Sequence, residues 1–334
     1  MQVVIIGGGP SGAAAALMLL DAQIPVTIVE QKPFPRFRPG ETLHPGIEPL
    51  LARLGVAHQL QSAGYVRHLG VWSGWGGTMQ FVPYGADTNG PWRGYQAIRG
   101  DFDHWLLESA CNRGANLVAG NATGVLFNAS GEVAGVMTSV GPVRATYVID
   151  CSGGSHLLAR QLHIPIIRHS PQLVARFGYV TGCFDDPSPS IRSDQDGWTW
   201  IAEVEPNRFQ WTRVTEAHNR PNPAWIPHGL RGLGAEPSRG ADVTWRMAKT
   251  VAGPGYFLSG DSAMVLDPSS SHGVLRAIMS GMMAAHLAVR QLCFGADAQE
   301  CAAAYQDWLT RWFRHDVKEM SRAYRTADLF DFCG

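Results

Sequence analysis

Gln2-Val3-Val4-Ile5-Ile6-Gly7-Gly8-Gly9-Pro10-Ser11-Gly12 opens the chain, and the fold follows from how it is read. Gln2 to Ile6 is a short apolar run of the kind that forms a buried parallel strand. It breaks at once into G-x-G-x-x-G, with glycines at Gly7, Gly9 and Gly12. Ala13 to Leu20 is strongly helix-forming, and Pro25-Val26-Thr27-Ile28-Val29-Glu30 is a second strand closed by an acid. Gly7 permits a tight turn, Gly9 lets the backbone approach a pyrophosphate, and Gly12 lets the helix sit close to the sheet. The helix N-terminus offers N–H groups without an intrahelical partner and the positive end of a dipole. Glu30 falls where a carboxylate takes both hydroxyls of a ribose. The glycine pattern alone carries little weight. Strand, glycines, helix, strand and acid in one continuous unit carry much more.

The rest of the composition narrows the class. The chain has 334 residues, 45% hydrophobic and 16% charged, enough for a large core and two lobes. A net charge of −1 gives no footprint for nucleic acid or an anionic membrane. Cys111, Cys151, Cys183, Cys293, Cys301 and Cys333 lack C-x-x-C spacing, so neither a metal site nor a disulfide framework is expected. A strand beginning at residue 2 leaves no room for a signal peptide, which predicts a cytoplasmic protein. The long apolar stretch from Gly273 to Cys293 is interrupted by Arg276, Ser280 and Arg290, which predicts a buried helix rather than an integral membrane segment.

Beyond Glu30, Pro33, Pro35, Pro39 and Pro45 fix an extended course with few free donors. A helix is predicted from Ile47 to about Leu54, and another from Asp101 to Asn112 with Asp101 as its N-cap. Val133 to Thr138 and Val143 to Asp150 read as strands. Gly197 to Val204 and Phe209 to Val214 straddle Glu205-Pro206-Asn207-Arg208 as a β-hairpin, with Trp198, Trp200 and Ala202 on one face. That face serves as hairpin core or as substrate pocket, and the pattern leaves both open. Tyr256 to Leu258 is a strand running into Ser259-Gly260-Asp261, and Gly273 to Leu292 is a long helix. The last forty residues are helical with an aromatic stripe (Tyr305, Trp308, Trp312, Phe313) best explained by packing.

Gly260-Asp261 and Asp267-Pro268-Ser269-Ser270-Ser271-His272-Gly273 lie between that strand and that helix. With the opening unit, this pattern resembles the FAD-binding monooxygenases of the p-hydroxybenzoate hydroxylase type and their relatives, the flavin-dependent tryptophan halogenases and geranylgeranyl reductases. Gly40-Glu41-Thr42-Leu43 resembles the G-E-S/T-L segment of the halogenase-like branch, and Arg99-Gly100-Asp101-Phe102-Asp103 with Leu106 the R-x-x-F-D-x-x-L motif. Asp150-Cys151-Ser152-Gly153 resembles the stretch where such chains re-enter the nucleotide domain. The resemblance implies a glutathione-reductase-like, Rossmann-type α/β domain that binds FAD, with an inserted mixed or antiparallel β-sheet substrate domain and a C-terminal helical segment. The expected spans are 1–65, 97–165 and 246–295 for the first, 66–96 and 166–245 for the second, and 296–334 for the third.

Two departures bear on activity. Ser152-Gly153-Gly154 replaces the Asp-Gly pair of single-component hydroxylases, and no second G-x-G-x-x-G is present for a nicotinamide. Electrons are therefore expected from a separate flavin reductase or loosely bound NAD(P)H. The halogenases use a lysine placed after the first βαβ unit to handle hypohalous acid, whereas this chain has only Lys32, Lys249 and Lys318. Trp198-Thr199-Trp200-Ile201-Ala202 is close to their W-x-W-x-I-P signature but lacks its proline. Halogenation is thereby disfavoured.

The segments 40–43, Trp75-Gly76 and 267–273 most resemble flavoproteins that mature tryptophan-derived quinone cofactors within a partner polypeptide. The implied activity is a flavin monooxygenase hydroxylating an aromatic substrate, such as a peptidyl tryptophan, through an oxygen adduct at flavin C4a. The alternatives are an isoprenoid double-bond reductase, a halogenase and a partner-dependent maturation protein. Most of the eleven tryptophans lie between Trp72 and Trp245, which suits an aromatic or apolar substrate as well as a small core.

The resemblance carries over onto individual residues. Gly7, Gly9, Pro10, Ser11, Gly12, Glu30 and Gln31 are expected around adenosine and pyrophosphate. Arg38, Glu41, Thr42, Arg99 and Asp261 are expected along the rest of the cofactor, and Pro268, Gly273 and Val274 at the flavin ring. His272 and His44 are the candidate proton donors, since histidine titrates near neutrality. A loop histidine that bonds only the backbone fits each position equally well, and the residues leave both readings open.

Overall fold

The structure is a computed structural model describing residues 1–183 and 188–330. Cys333 and Gly334 and residues 184–187 of the expected substrate stretch lie outside the described residues.

The opening unit forms as its sequence dictates. Strand β1 (Val3–Ile6) is fully buried, helix α1 spans Pro10–Asp21, and strand β2 (Val26–Glu30) pairs with β1 in parallel. Helix α2 (Arg99–Asn112) leads to β3 (Asn116–Ala119), which runs parallel beside β2. Strand β4 (Tyr147–Asp150) takes the other side of β1, register Val3↔Tyr147 to Ile6↔Asp150. The large-sheet strands are β5 (Leu173–Thr181), β6 (Gly197–Glu205) and β7 (Arg208–Glu216). Strand β8 (Tyr256–Leu258) adds to β4 in parallel, and the antiparallel edge Ala252–Gly253 closes the six-stranded sheet β3-β2-β1-β4-β8. Helices α3 (Gly273–Phe294) and α4 (Ala298–Thr326) complete the chain. This is the Rossmann-type sheet: β1, β2, β4 and β8 are apolar runs buried on both faces, while β3 at the edge is largely exposed.

Among the described residues, α3 is the one helix long and apolar enough to cross a membrane. Here it packs along α1 with Ile278, Ala284, Ala285, Leu287 and Ala288 buried. The approach is close enough that a Cβ on Gly281 would sit 2.2 Å from the Ser11 carbonyl oxygen.

The second sheet has eight strands and carries β5, β7 and β6 side by side, followed by Ser190–Asp194, Gly70–Gly74 and the edge Gln80–Pro83. The predicted hairpin is β6 and β7, antiparallel from Gly197↔Thr215 to Glu205↔Arg208. Pro206 and Asn207 make its turn, Asn207 at φ 61°, a left-handed conformation that asparagine tolerates. Glu41–Leu43 pairs instead with Gly94–Ala97, which also pairs with Val66–His68, so the Pro-rich segment leads into a separate three-stranded sheet. The aromatic stripe of α4 is packing, with Tyr305 and Phe313 buried and Tyr305 donating to the Leu258 carbonyl at 2.8 Å.

Two sequence expectations are corrected. Val143 to Asp150 is not one strand. Gly141–Arg144 pairs with Val133–Thr138 in a small antiparallel sheet, while Tyr147–Asp150 enters the central parallel sheet. The burial pattern separates them, alternating in the first and continuous in the second. Asp101 is not an N-cap either. Helix α2 begins two residues earlier after Ile98, so Asp101 lies in the first turn, where its charge still suits the helix dipole.

Candidate functional site

The ends of β1, β2 and β4, the starts of α1 and α3, and one face of the large sheet enclose a cavity of about 730 Å³. That lies within the roughly 300–1,000 Å³ usual for ligand sites.

At its polar end are Gly7, Gly9, Pro10, Ser11, Glu30 and Gln31. Gly7 has φ +99°, and a Cβ on Gly12 would lie 2.0 Å from the Gly7 carbonyl oxygen and 3.1 Å from the Ile5 side chain. Gly12 therefore sits under the turn rather than in the wall, and its lack of a side chain lets the first turn of α1 pack directly against Gly7. An added Cβ at Gly9 would meet only a terminal nitrogen of Arg36, at 3.3 Å, so the backbone faces open space. The Glu30 carboxylate is oriented from both sides, accepting the Gly8 N–H of the glycine turn at 2.8 Å and the Lys32 N–H of its own turn at 2.9 Å.

The sequence reading missed Arg36. Its guanidinium bonds Glu30 at 3.2 Å, and its Nε is buried without a partner. Burial lowers its pKa, against the opposing charge of Glu30. Arg36 and the predicted Arg38 both line the cavity, and nothing in a Pro-rich segment tells which arginine turns inward.

Glu41, Thr42, Arg99 and Asp261 line the middle, and Pro268, Gly273 and Val274 the floor beside α3. Arg99 is clamped by Asp103 at 2.8 and 3.0 Å and by Glu41 at 2.9 Å. Burial alone would lower its pKa, but those two carboxylates raise it, so the guanidinium stays charged. The Glu41 carboxyl is pushed up by burial, with Arg99 opposing. A Cβ on Gly273 would lie 3.4 Å from Glu41 Oε1, so this carboxyl looks toward the start of α3.

His44 and His272 are not among the residues lining the cavity. Their rings meet edge-on at 5.4 Å, and the other side of His44 meets Tyr84 at 5.1 Å. His44 Nδ1 accepts the Gly46 N–H at 3.0 Å, a purely local bond. Burial lowers both pKa values, that of His272 to about 4, so both rings are neutral at pH 7.

The apolar end belongs to the large sheet. Ala175 and Phe177 on β5, Trp198 and Trp200 on β6, and Gln210 and Thr212 on β7 all line the cavity. Alternation along each strand puts these pairs on one face. Trp198, 1% exposed, is core and cavity wall at once. All three lysines of the chain are exposed, and none reaches this cavity.

A parallel sheet with a glycine turn, an acid ending its second strand and a second helix starting at the same cavity defines a Rossmann-type dinucleotide-binding protein. The residues fit such a ligand. The Gly9 backbone is open, α1 presents its first turn, and the unpartnered Arg36 Nε waits for an acceptor. Residues 1–249 match the FAD binding domain family. The chain belongs to that family, within the FAD-dependent monooxygenase and halogenase superfamily, and its cofactor is FAD.

It is 27% identical to a tryptophan 2-halogenase of Chondromyces crocatus, over 93% of this chain and 66% of that protein. It is 28% identical to a 1H-pyrrole-2-carbonyl-[peptidyl-carrier protein] brominase of Pseudoalteromonas luteoviolacea, over 92% of this chain and 81% of that one. The fold is shared with QhpG, a peptidyl tryptophan dihydroxylase essential for tryptophylquinone cofactor biogenesis. Its TM-score is 0.77 at 19% identity, over 97% of this chain and 75% of that one.

Proposed function

We propose that this chain is an FAD-dependent oxygenase that hydroxylates an electron-rich aromatic ring, presented as a tryptophan of a partner polypeptide. The carrying observation is the cavity itself, which joins a dinucleotide cradle to an aromatic end and contains no lysine. When bound and reduced, FAD supplies the electrons and the activation of O₂.

The protein's part is to bind, orient and keep water away. The Gly7–Gly12 turn and the start of α1 take the pyrophosphate, and Glu30 and Arg36 take the adenosine side. The start of α3 puts a positive dipole end at the cavity floor, where negative charge on the reduced cofactor is stabilised. Phe177, Trp198 and Trp200 hold the substrate ring by apolar contact and stacking and exclude water from it. Electrons come from a separate flavin reductase or loosely bound NAD(P)H. In this reading residues 66–96 and 166–245 are the substrate-binding part.

Halogenation is the second reading, favoured by the activities that name both sequence relatives. The test is reduction of the FAD-loaded protein followed by O₂, with tryptophan-bearing peptides and free indoles, in buffers with and without chloride or bromide. A product heavier by one oxygen atom in every buffer supports hydroxylation. A halide-dependent product with a halogen isotope pattern overturns it. Reoxidation with no product on any aromatic, together with saturation of an isoprenoid double bond, replaces both readings with a reductase.

A further inference from the structure

One carboxylate in the cavity wall gathers three hydrogen-bond donors, two of them from distant parts of the chain. Asp267 stands just before Pro268, on the loop leading into α3, and is 0% exposed. Its Oδ1 accepts the Ser269 N–H at 2.8 Å. Its Oδ2 accepts Trp245 Nε1–H at 2.5 Å and the Tyr324 hydroxyl at 2.8 Å. That hydroxyl in turn accepts Trp198 Nε1–H at 2.6 Å. Tyr324 comes from the last turns of α4, and Trp198 from the apolar wall, so the C-terminal helix reaches the site through a single oxygen atom. Trp75 braces that turn, donating to the Ala323 carbonyl at 2.7 Å with its ring edge-on to Tyr324 at 5.1 Å.

Packing does not require this arrangement. A hydrophobic side chain at position 267 would fill the same space without burying a carboxylate, and a buried carboxylate persists where it is fully hydrogen-bonded. Three donors converge here, two of them from fully buried aromatic side chains. Burial pushes the Asp267 carboxyl up from its usual range, and the Ser269, Tyr324 and Trp245 hydrogen bonds oppose that. The other charged or titratable groups nearby are engaged elsewhere. Arg276 on α3 binds Asp316 on α4 at 2.9 Å and Ser270 at 3.3 Å, and His272 meets His44 edge-on.

We propose that Asp267 is a fixed negative charge in the wall of the cofactor cavity, held ionised by Tyr324 and Trp245, and that it makes the bound FAD harder to reduce. Tyr324 is then a positioning residue of the site, although it lies behind the wall and touches neither cofactor nor substrate. The inference rests on FAD as cofactor and not on which substrate is used. A buried anion near the flavin disfavours the negative charge gained on reduction, because the low-dielectric interior screens it little.

The test is the midpoint potential of protein-bound FAD at pH 7, with FAD content and thermal midpoint measured alongside. Asp267→Asn keeps the shape and removes the charge, and should move the potential to a more positive value. Tyr324→Phe keeps the ring and removes one donor, and should move it in the same direction. Added to Asp267→Asn, Tyr324→Phe should produce no further shift, since the charge it supports is gone. Trp245→Phe removes the second donor and replaces Tyr324→Phe in this logic if that variant does not fold. An unchanged potential in Asp267→Asn overturns the proposal, because the carboxyl is then already neutral. A Tyr324→Phe shift that persists undiminished in the Asp267→Asn background overturns it as well, and so does a loss of thermal stability with no change in potential.

Discussion

Replacing Gly12 by alanine adds one methyl group where the structure has no room for it. The new Cβ would lie 2.0 Å from the Gly7 carbonyl oxygen and 3.1 Å from both the Gly7 carbonyl carbon and Ile5 Cγ2, when real Cβ contacts essentially never fall below 3.0 Å. Two of these atoms are backbone of the strand-to-helix turn, so the strain cannot be relieved by turning a side chain. Either the turn opens or the N-terminal end of α1 lifts by about 1 Å, displacing the N–H groups aimed at the pyrophosphate. Overpacking of this kind costs about 1–3 kcal/mol, and more where backbone must move. At roughly 2–4 °C per kcal/mol, a fall in thermal midpoint of about 2–12 °C is expected without cofactor.

FAD affinity should fall further, by about tenfold for each ~1.4 kcal/mol of lost phosphate contact. Gly12→Val adds two more carbon atoms and should yield colourless protein. The assay is flavin absorbance per polypeptide after purification, with a fluorescence titration of FAD into the stripped protein and a thermal melt. A folded Gly12→Ala variant with normal flavin content and an unchanged midpoint would refute this placement of the cofactor.

Arg36→Met should weaken FAD binding by about tenfold or more while leaving the fold intact, since a charged hydrogen bond is worth about 1.5–3 kcal/mol. A titration showing wild-type affinity would remove Arg36 from the site. His272→Gln should leave the pH dependence of flavin reoxidation unchanged between pH 6 and 8, because a ring already neutral there has no proton to give. A lost limb in that profile would restore His272 as a donor. His68 and His272 both have folded pKa values lowered to about 4 by burial, so the unfolded chain binds more protons than the native one between about pH 4 and 6.5. Stability should be full above that window and fall as pH drops through it, read as the denaturation midpoint against pH. His68→Gln should flatten the slope, and an identical slope would show that His68 is not its source. Trp198→Ala should weaken the binding of indole-bearing ligands, measured by fluorescence quenching, by more than Trp308→Ala, which lies on α4 and not in the cavity wall.

The parts of this protein legible in its sequence are those set by local chemistry. The βαβ unit, Glu30, the β6–β7 hairpin and α3 each follow from a run of residues whose period and punctuation allow one backbone conformation. So do Gly7 and Gly9, whose roles depend on bare backbone. Individual side chains in irregular segments were less legible. Arg36 and Arg38 stand two residues apart in a proline-rich stretch, and only the way that stretch folds back over Gly9 makes Arg36 a partner of Glu30. His44 and His272 sit in or beside cofactor motifs, yet they face one another behind the cavity wall.

The first thirty residues by themselves determined that this chain folds around a dinucleotide, because a glycine turn between a buried strand and a helix constrains its own neighbourhood. The absence of a lysine in the cavity was half legible. Composition limited the candidates to Lys32, Lys249 and Lys318, but only the fold showed that all three are exposed. Which groups meet at Asp267 was decided by tertiary structure alone. Trp198, Trp245, Asp267 and Tyr324 span more than a third of the chain in sequence, and no local period relates them. What brings them together is the closing of the large sheet and α4 over the parallel sheet, which buries a carboxylate that must then find its donors wherever packing has put them.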